Sequence, residues 1–244
     1  MRVKKLYILA LRQGPQDQET IDTATLLKAR YLARPEATRP NSVDLINVNE
    51  AAQVALRDSS TAPTLRNESG DTLQPGAEEN IGVYIVVHGI WGRPVVGINP
   101  EQMALLVRTL GCQKIRKICL VACGLAGPDD FPSIGVEDPA SSGAQKSYLE
   151  QFCEKFQGDN TMIAGWTDFV GVCRPDDTHV KRSAKKAENY GKKVLQPPAR
   201  RNAHVLASSE DGRPLKAAQK KVYHWVREGG VTTLQLADWT DKEK

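Results

Sequence analysis

The chain has 244 residues, 40% hydrophobic and 25% charged, with a formal net charge of +4. This is enough for a full core, and we expect one domain over residues 1–237 with a frayed tail over 238–244. The longest apolar runs have only the length of a strand, which argues against a membrane-spanning helix. The segment Leu6–Leu11 is too short to be the core of a secretory signal.

The cysteines exclude two classes of site. There are five, an odd number at scattered spacings, which does not resemble a disulfide framework and indicates a reducing compartment. The sequence has no Cys-x-x-Cys or His-x-x-x-His pair, so we expect no metal.

The first third of the chain predicts strands that alternate with helices. The elements are a strand over Val3–Leu11, a helix over Ile21–Leu32 with Thr20 as its cap, a strand over Val43–Val48 and a short helix over Glu50–Leu56. The segment 49–80 is polar and contains two prolines and two glycines. Beyond its short helix we predict a mobile loop there.

The middle of the chain predicts two buried parallel strands joined by a helix. Val83–Val87 is apolar and β-branched without alternation, which is typical of a strand covered on both faces. Asn99, followed by Pro100 and by Gln102 in the capping-box position, predicts the start of a helix. The segment Ile115–Ala122 predicts the second buried strand.

His88 and Cys123 follow directly after these two strands. A strand–helix–strand unit is a right-handed parallel crossover, so both residues belong at the carboxyl edge of the sheet, where such folds bind ligands. An imidazole can accept the proton of a neighbouring thiol or stabilise its thiolate. We therefore predict a catalytic dyad, with oxyanion donors at the backbone of Gly89 and Cys123 and with Gly89 leaving room for substrate.

The last third of the chain predicts further elements and a basic region. The elements are a helix that contains Tyr148–Phe156, capped by Ser141 or Ser142, a strand over Thr161–Ala164, a hairpin over Trp166–Cys173 and a final strand or helix over Val222–Val226. Between Arg174 and Arg227, fourteen lysines and arginines face five acidic residues, a local charge of +9. Paired bases broken by Gly191 and by Pro197 predict a basic β-flap over 174–221 that binds a polyanion, or else a solvated face.

The order of apolar strand, His88-Gly89, helix, apolar strand and Ala122-Cys123 resembles the caspase-like (clan CD) cysteine peptidases. It is most similar to the inositol-hexakisphosphate-activated self-processing domains of RTX and large clostridial toxins, through Pro100–Ala104, Ile118–Cys123 and Met162–Asp168. Val121 stands where caspases have glutamine, and residues 78–80 lack the basic residue of the toxin domains.

The resemblance implies a three-layer α/β sandwich with a mostly parallel sheet and a cysteine endopeptidase with Cys123 as nucleophile and His88 as acid and base. It also implies allosteric activation by inositol hexakisphosphate and a secreted, stand-alone OspB-like effector that acts in a host cytosol and cuts itself or a host protein. The basic residues that would hold the activator are Lys181, Arg182, Lys185, Lys186, Lys192, Lys193, Lys220 and Lys221, joined by Lys28 and Arg30 from the first helix.

Two alternatives remain open from the sequence. The first is a catalytically inert polyanion-binding module, in which Cys123 is a strand-end cysteine that packs as a small apolar residue. The second is an α/β-hydrolase-type esterase, because Val87–Gly92 is similar to an oxyanion loop; the sequence nevertheless lacks the Gly-x-Ser-x-Gly elbow that this fold requires. Nucleic-acid binding is disfavoured, since the basic region has no regular aromatic interleaving.

Overall fold

The computed structural model describes residues 3–59, 61–73, 80–90, 93–111, 114–126, 146–158, 160–166, 170–172, 193–195 and 220–237. Its centre is a seven-stranded sheet in the order β11-β10-β7-β6-β3-β1-β2. The strands are β1 (Lys5–Leu11), β2 (Ser42–Val48), β3 (Ile81–Val87), β6 (Ile115–Val121), β7 (Met162–Trp166), β10 (Lys220–Glu228) and β11 (Val231–Leu236).

Five of these strands, β2, β1, β3, β6 and β7, run parallel, whereas β10 and β11 are antiparallel additions at one end. Every side chain of β3 is buried, as its continuous apolar run predicts for a strand covered on both faces. Two short hairpins lie outside the sheet: β4 (Gly89–Ile90) pairs with β5 (Arg93–Pro94), and β8 (Val170–Val172) pairs with β9 (Lys193–Leu195).

Helices cover the two faces of the sheet. They are α1 (Gln18–Leu32), α2 (Glu50–Ser59), α3 (Pro100–Arg108) and α4 (Tyr148–Phe156). Apolar residues of α1 share one core with Ile8, Tyr84 and Val121. Residues of α2, α3 and α4 share the opposite core with Ile85 and Leu120. The predicted three-layer α/β sandwich with a mostly parallel sheet is therefore confirmed.

Two predicted helix caps are wrong. Asp17 caps α1 through its side chain, three residues before the expected Thr20. Ser147 caps α4, with Glu150 completing a capping box, where Ser141 or Ser142 was expected. In both cases a polar residue nearer to the first helical turn accepts its backbone N–H bonds. The capping box at Asn99 and Gln102 is confirmed.

The strand alternative for Val222–Val226 is confirmed, but the strand is longer than predicted and another strand follows it. Val222–Val226 lies inside the nine-residue strand β10, which turns at Gly229–Gly230 into β11. Of the predicted mobile loop, the part around Arg66 folds back in a bridge to Thr72, and Leu65 is buried. Most of the predicted flap lies outside the described residues. Within them, no helix is long and apolar enough to span a membrane.

Candidate active site

Strand register sets His88 and Cys123 level with each other at the carboxyl edge of the sheet. Strands β3 and β6 are parallel neighbours, and Val86 pairs with Val121. Both valines belong to the core on the α1 face of the sheet. His88 and Cys123 each follow two residues later, so their backbones lie level at the ends of the two strands, and His88 reaches the α1 side, where it contacts Asp17. Neighbouring strands are about 4.8 Å apart, which is compatible with hydrogen-bonding reach between the two side chains.

The backbones at the two strand ends are in close contact. A Cβ atom on Gly89 would lie 2.1 Å from the carbonyl oxygen of Cys123 and 2.9 Å from its nitrogen. The expected space beside Gly89 is thus filled by the Cys123 backbone rather than left for a substrate. Only glycine allows this approach, so Gly89 fixes the distance between the histidine strand and the cysteine strand.

Hydrogen bonds outside the sheet hold both strand ends. The His88 carbonyl accepts a bond of 2.8 Å from the Val95 N–H of the β4–β5 hairpin. After Cys123, Gly124 has φ +69°, a left-handed conformation that suits glycine and turns the chain at once. That turn is anchored to β7 by the Ala126 N–H, which donates to the Trp166 carbonyl at 2.9 Å.

The structure adds a third residue that the sequence did not predict. Asp17 follows β1 at the same sheet edge, and its Oδ1 lies 3.2 Å from Nε2 of His88. The Asp17 side chain is only 7% exposed, whereas that of His88 is 40% exposed. The histidine therefore reaches solvent on one side and a buried carboxylate on the other.

The Asp17 carboxylate accepts several further hydrogen bonds. Oδ2 accepts from the Gln13 N–H and from the Thr20 hydroxyl, each at 2.8 Å, and Oδ1 accepts from the Thr20 N–H at 3.1 Å. Burial raises the pKa of Asp17, but these bonds together with His88 outweigh it and bring the pKa below its ordinary value of 3.8. The carboxylate is therefore ionised at neutral pH.

Among the described cysteines, Cys123 is the accessible one. It is half-buried and carries a thiol, whereas Cys119 and Cys153 are buried. Burial also raises the pKa of Cys153, with Glu150 and Glu154 adding to the effect, so that residue remains a protonated thiol. Accessibility therefore favours Cys123 as the reactive sulfur. Within the described part of the chain, no group of three His, Cys, Asp or Glu side chains is arranged to hold a metal ion.

The predicted polyanion residues fall into three groups. Lys181, Arg182, Lys185, Lys186 and Lys192 lie outside the described residues. Lys193 begins β9, whose partner β8 contacts α1, the helix that carries Lys28 and Arg30. Lys28 is paired with Glu68. Strand β8 therefore links the strand of Lys193 to α1, and the charge of Lys28 is compensated by Glu68.

Lys220 and Lys221 lie at the other end of the sheet, opposite Trp166 and Gly165 of β7. Lys221 precedes Val222, whose side chain is in the core on the α1 face, so Lys221 faces the α4 side. Burial raises the pKa of Glu150 on α4, but hydrogen bonds from Tyr223 and Ser147 lower it by more. The positive charge of Lys221 adds a smaller lowering effect. The structure therefore separates Lys221 from Lys28 and Arg30 by the thickness of the sheet.

Asp17 was not predicted because the N-cap of α1 was assigned to Thr20. Thr20 is an acceptable cap by residue type, and Asp17 stands three residues before it in a loop that contains Gly14 and Pro15. The order of the strands in the sheet could have predicted that Asp17 lies near His88. An acidic residue in the short loop that follows the first parallel strand lies at the same edge as His88, the edge at which a histidine partner is expected.

Comparison with protein-family models found no match, and no curated protein matches the sequence. Among solved structures, the chain is similar to a secreted C11 cysteine protease from Bacteroides thetaiotaomicron, solved in complex with an irreversible peptide inhibitor. The two share 9% sequence identity, and the TM-score is 0.39. The match covers 92% of this chain and 66% of that one, so this chain spans a little under two thirds of the length of the protease.

Proposed function

We propose that the protein is a cysteine endopeptidase in which Cys123 is the nucleophile and His88 the general acid and base. The observation that supports the proposal is the register of β3 and β6, because His88 and Cys123 each follow two residues after a paired valine, at the same sheet edge. The close contact between Gly89 and the Cys123 backbone also holds the chain after β3 next to the chain after β6. A half-exposed histidine beside the accessible thiol matches the arrangement that activates a cysteine nucleophile.

The reaction follows from these groups. His88 takes the proton of the Cys123 thiol, and the thiolate forms a bond to the carbonyl carbon of a peptide while the carbonyl electrons move to its oxygen. When the carbonyl re-forms, the C–N bond breaks and the leaving amine takes the proton from His88. A water molecule, deprotonated by His88, then attacks the acyl-enzyme and releases the second product, and the proton returns to the sulfur.

The oxyanion formed on the carbonyl oxygen requires donors at the same sheet edge. The backbone N–H groups of Gly89 and Cys123 are the proposed ones, because the two strand ends meet there without an intervening side chain. Their positions are set by the β4–β5 hairpin and by the turn at Gly124.

An electrophilic peptide probe tests the proposal. Labelling is located by mass spectrometry in the wild type, Cys123→Ala and His88→Ala, with Cys119→Ala as the matched control from the same strand. We expect labelling at Cys123, loss of it in the first two variants and no change in the control, since Cys119 is buried. Unchanged labelling in His88→Ala, or none at Cys123 in any protein, contradicts the proposal.

Activation by inositol hexakisphosphate stays a prediction, and so does the role as a self-processing or host-directed effector. Support for a polyanion site is limited to the contact of β8, the partner strand of β9 with Lys193, with the helix that carries Lys28 and Arg30. The same labelling experiment, run with and without inositol hexakisphosphate, distinguishes an activated peptidase, a peptidase without this activator and an inert binding module. A rate that rises with the ligand supports the activator, and an unchanged rate leaves a peptidase without it. Ligand binding without labelling leaves the inert module.

A further inference from the structure

We infer that Asp17 is the positioning residue for His88: it holds the imidazole with its proton on Nε2, so that Nδ1 is the nitrogen that accepts the Cys123 proton. This inference rests on the proposed function, because it assigns the direction of proton transfer in that same site. It begins from the 3.2 Å contact between Nε2 of His88 and Oδ1 of Asp17.

The carboxylate cannot turn away from this contact. Both of its oxygens are held by Thr20, through the N–H and the hydroxyl, and Oδ2 is also held by the Gln13 N–H. The backbone of Asp17 is fixed as well, since its carbonyl accepts from Nε of Arg12 at 3.2 Å. A group with this many partners is a rigid reference point for a side chain that is 40% exposed.

The chemistry of the carboxylate decides the tautomer of the histidine. An ionised carboxylate only accepts hydrogen bonds, so His88 must donate from Nε2. In the neutral ring the other nitrogen, Nδ1, is then unprotonated and able to act as a base. When the thiol proton arrives there, the ring becomes positively charged beside the ionised carboxylate of Asp17.

Helix capping alone does not account for the arrangement. Helices α3 and α4 are capped by the neutral side chains of Asn99 and Ser147, and Asn49 bonds the first turn of α2. Asp17 caps α1 in the same way but also contacts a histidine 71 residues away in the chain, on another element. A neutral cap would serve the helix equally well, so the charge of Asp17 points to a second role.

The first test needs no variant. Long-range ¹H–¹⁵N spectra of the wild type, recorded at alkaline pH where histidine rings are neutral, report which nitrogen carries the proton. Only four histidines are present, and the signals of His88 are identified by their loss in His88→Ala. We expect the Nε2–H tautomer at His88. Finding the Nδ1–H tautomer in the wild type overturns the inference, whatever the protein does to peptides.

The second test is Asp17→Asn, which keeps size and capping ability but replaces one accepting oxygen by a donating NH₂. Thr20→Val is an intermediate case, because it keeps the carboxylate but removes the hydroxyl that helps to hold it. Asn99→Ala removes a cap that is remote from His88. In Asp17→Asn we expect a shift toward the Nδ1–H tautomer and slower alkylation of Cys123 by iodoacetamide at neutral pH, by about 10- to 1,000-fold.

Asn99→Ala should lose stability and keep the wild-type tautomer and alkylation rate, whereas Thr20→Val should slow alkylation less than Asp17→Asn does. Asp17→Glu, which restores the charge one methylene further out, should recover part of the rate. If Asp17→Asn leaves tautomer and rate unchanged while His88→Ala abolishes labelling, the inference fails and the proposed function survives. In the opposite outcome, His88→Ala leaves the alkylation rate of Cys123 unchanged but Asp17→Asn shifts the tautomer of His88. The proposed function then fails, and the role of Asp17 in positioning His88 remains.

Discussion

The Gly89 and Cys123 backbones approach each other so closely that any side chain on Gly89 would overlap the Cys123 carbonyl. The two residues end neighbouring strands, so this contact joins the part of the chain that carries the histidine to the part that carries the cysteine. The glycine, at the start of the short strand β4, therefore allows the close spacing of the two chain segments in the candidate site.

Gly89→Ala tests this contact, because the added methyl can be accommodated only if one of the two strand ends moves. We expect a loss of about 3 kcal/mol or more in the free energy of unfolding, together with loss of Cys123 labelling. Gly82→Ala, in the preceding strand β3, is the control: its Cβ would meet methyl groups of Val3 and Leu6, at 2.9 and 3.2 Å, which can shift. That variant should lose about 1 kcal/mol. Equal effects of the two substitutions in urea unfolding would contradict the prediction.

Asp17 predicts a pH dependence of stability. Its pKa is lowered below 3.8 in the folded protein, so its contribution is complete above the pKa of the unfolded chain and disappears as pH falls through the lower folded value. Asp17→Asn lacks this contribution at every pH. The gap in melting temperature between wild type and variant should therefore narrow as pH falls below about 4. A gap that stays constant in acid would rule out this source of stability.

Glu150, at the other end of the sheet, also has a lowered pKa and predicts a second pH dependence of stability. It accepts a 2.7 Å bond from the Tyr223 hydroxyl and completes the capping box of α4 with Ser147. Tyr223→Phe should cost about 1 to 2 kcal/mol at neutral pH, since it removes a hydrogen bond to a charged, partly buried group. The cost should shrink in acid, where Glu150 is protonated. A cost in calorimetry that does not change with pH would show that Tyr223 acts through packing alone.

The hydroxyls of Tyr31 and Tyr84 bond each other inside the core between α1 and the sheet. Tyr31→Phe and Tyr84→Phe should each cost about 1 to 3 kcal/mol, because each leaves a buried hydroxyl without this partner. The double variant should cost less than the sum of the two. Denaturant unfolding of all four proteins measures the coupling, and strictly additive costs would mean that the two hydroxyls do not depend on each other.

The sequence predicts the parallel core well, because buried β-branched runs such as Val83–Val87 have few other interpretations. It predicts His88 and Cys123 as neighbours for the same reason: the crossover rule fixes the edge at which both strands end. The sequence could not predict how closely Gly89 approaches the Cys123 backbone, because that distance depends on tertiary structure and not on a local sequence pattern.

The C-terminal hairpin shows the opposite case. The strand β11 is mostly exposed and alternates only weakly, so its existence follows from pairing with β10 rather than from burial of its own residues. Asp17 was missed because a pattern of local capping cannot reveal a partner 71 residues away. Both features are consequences of tertiary structure.

The late position of β10 has a consequence for synthesis on the ribosome. Asp17, His88 and Cys123 all emerge early, together with β1, β2, β3 and β6, while β7 receives its outer neighbour only when residues 220–228 appear. Until then the nascent chain presents an unpaired strand edge, and the cores lack Val222 and Trp225. A polypeptide released before residue 220 would carry every residue of the candidate site on an unfinished sheet, and we expect such fragments to be substrates for chaperones.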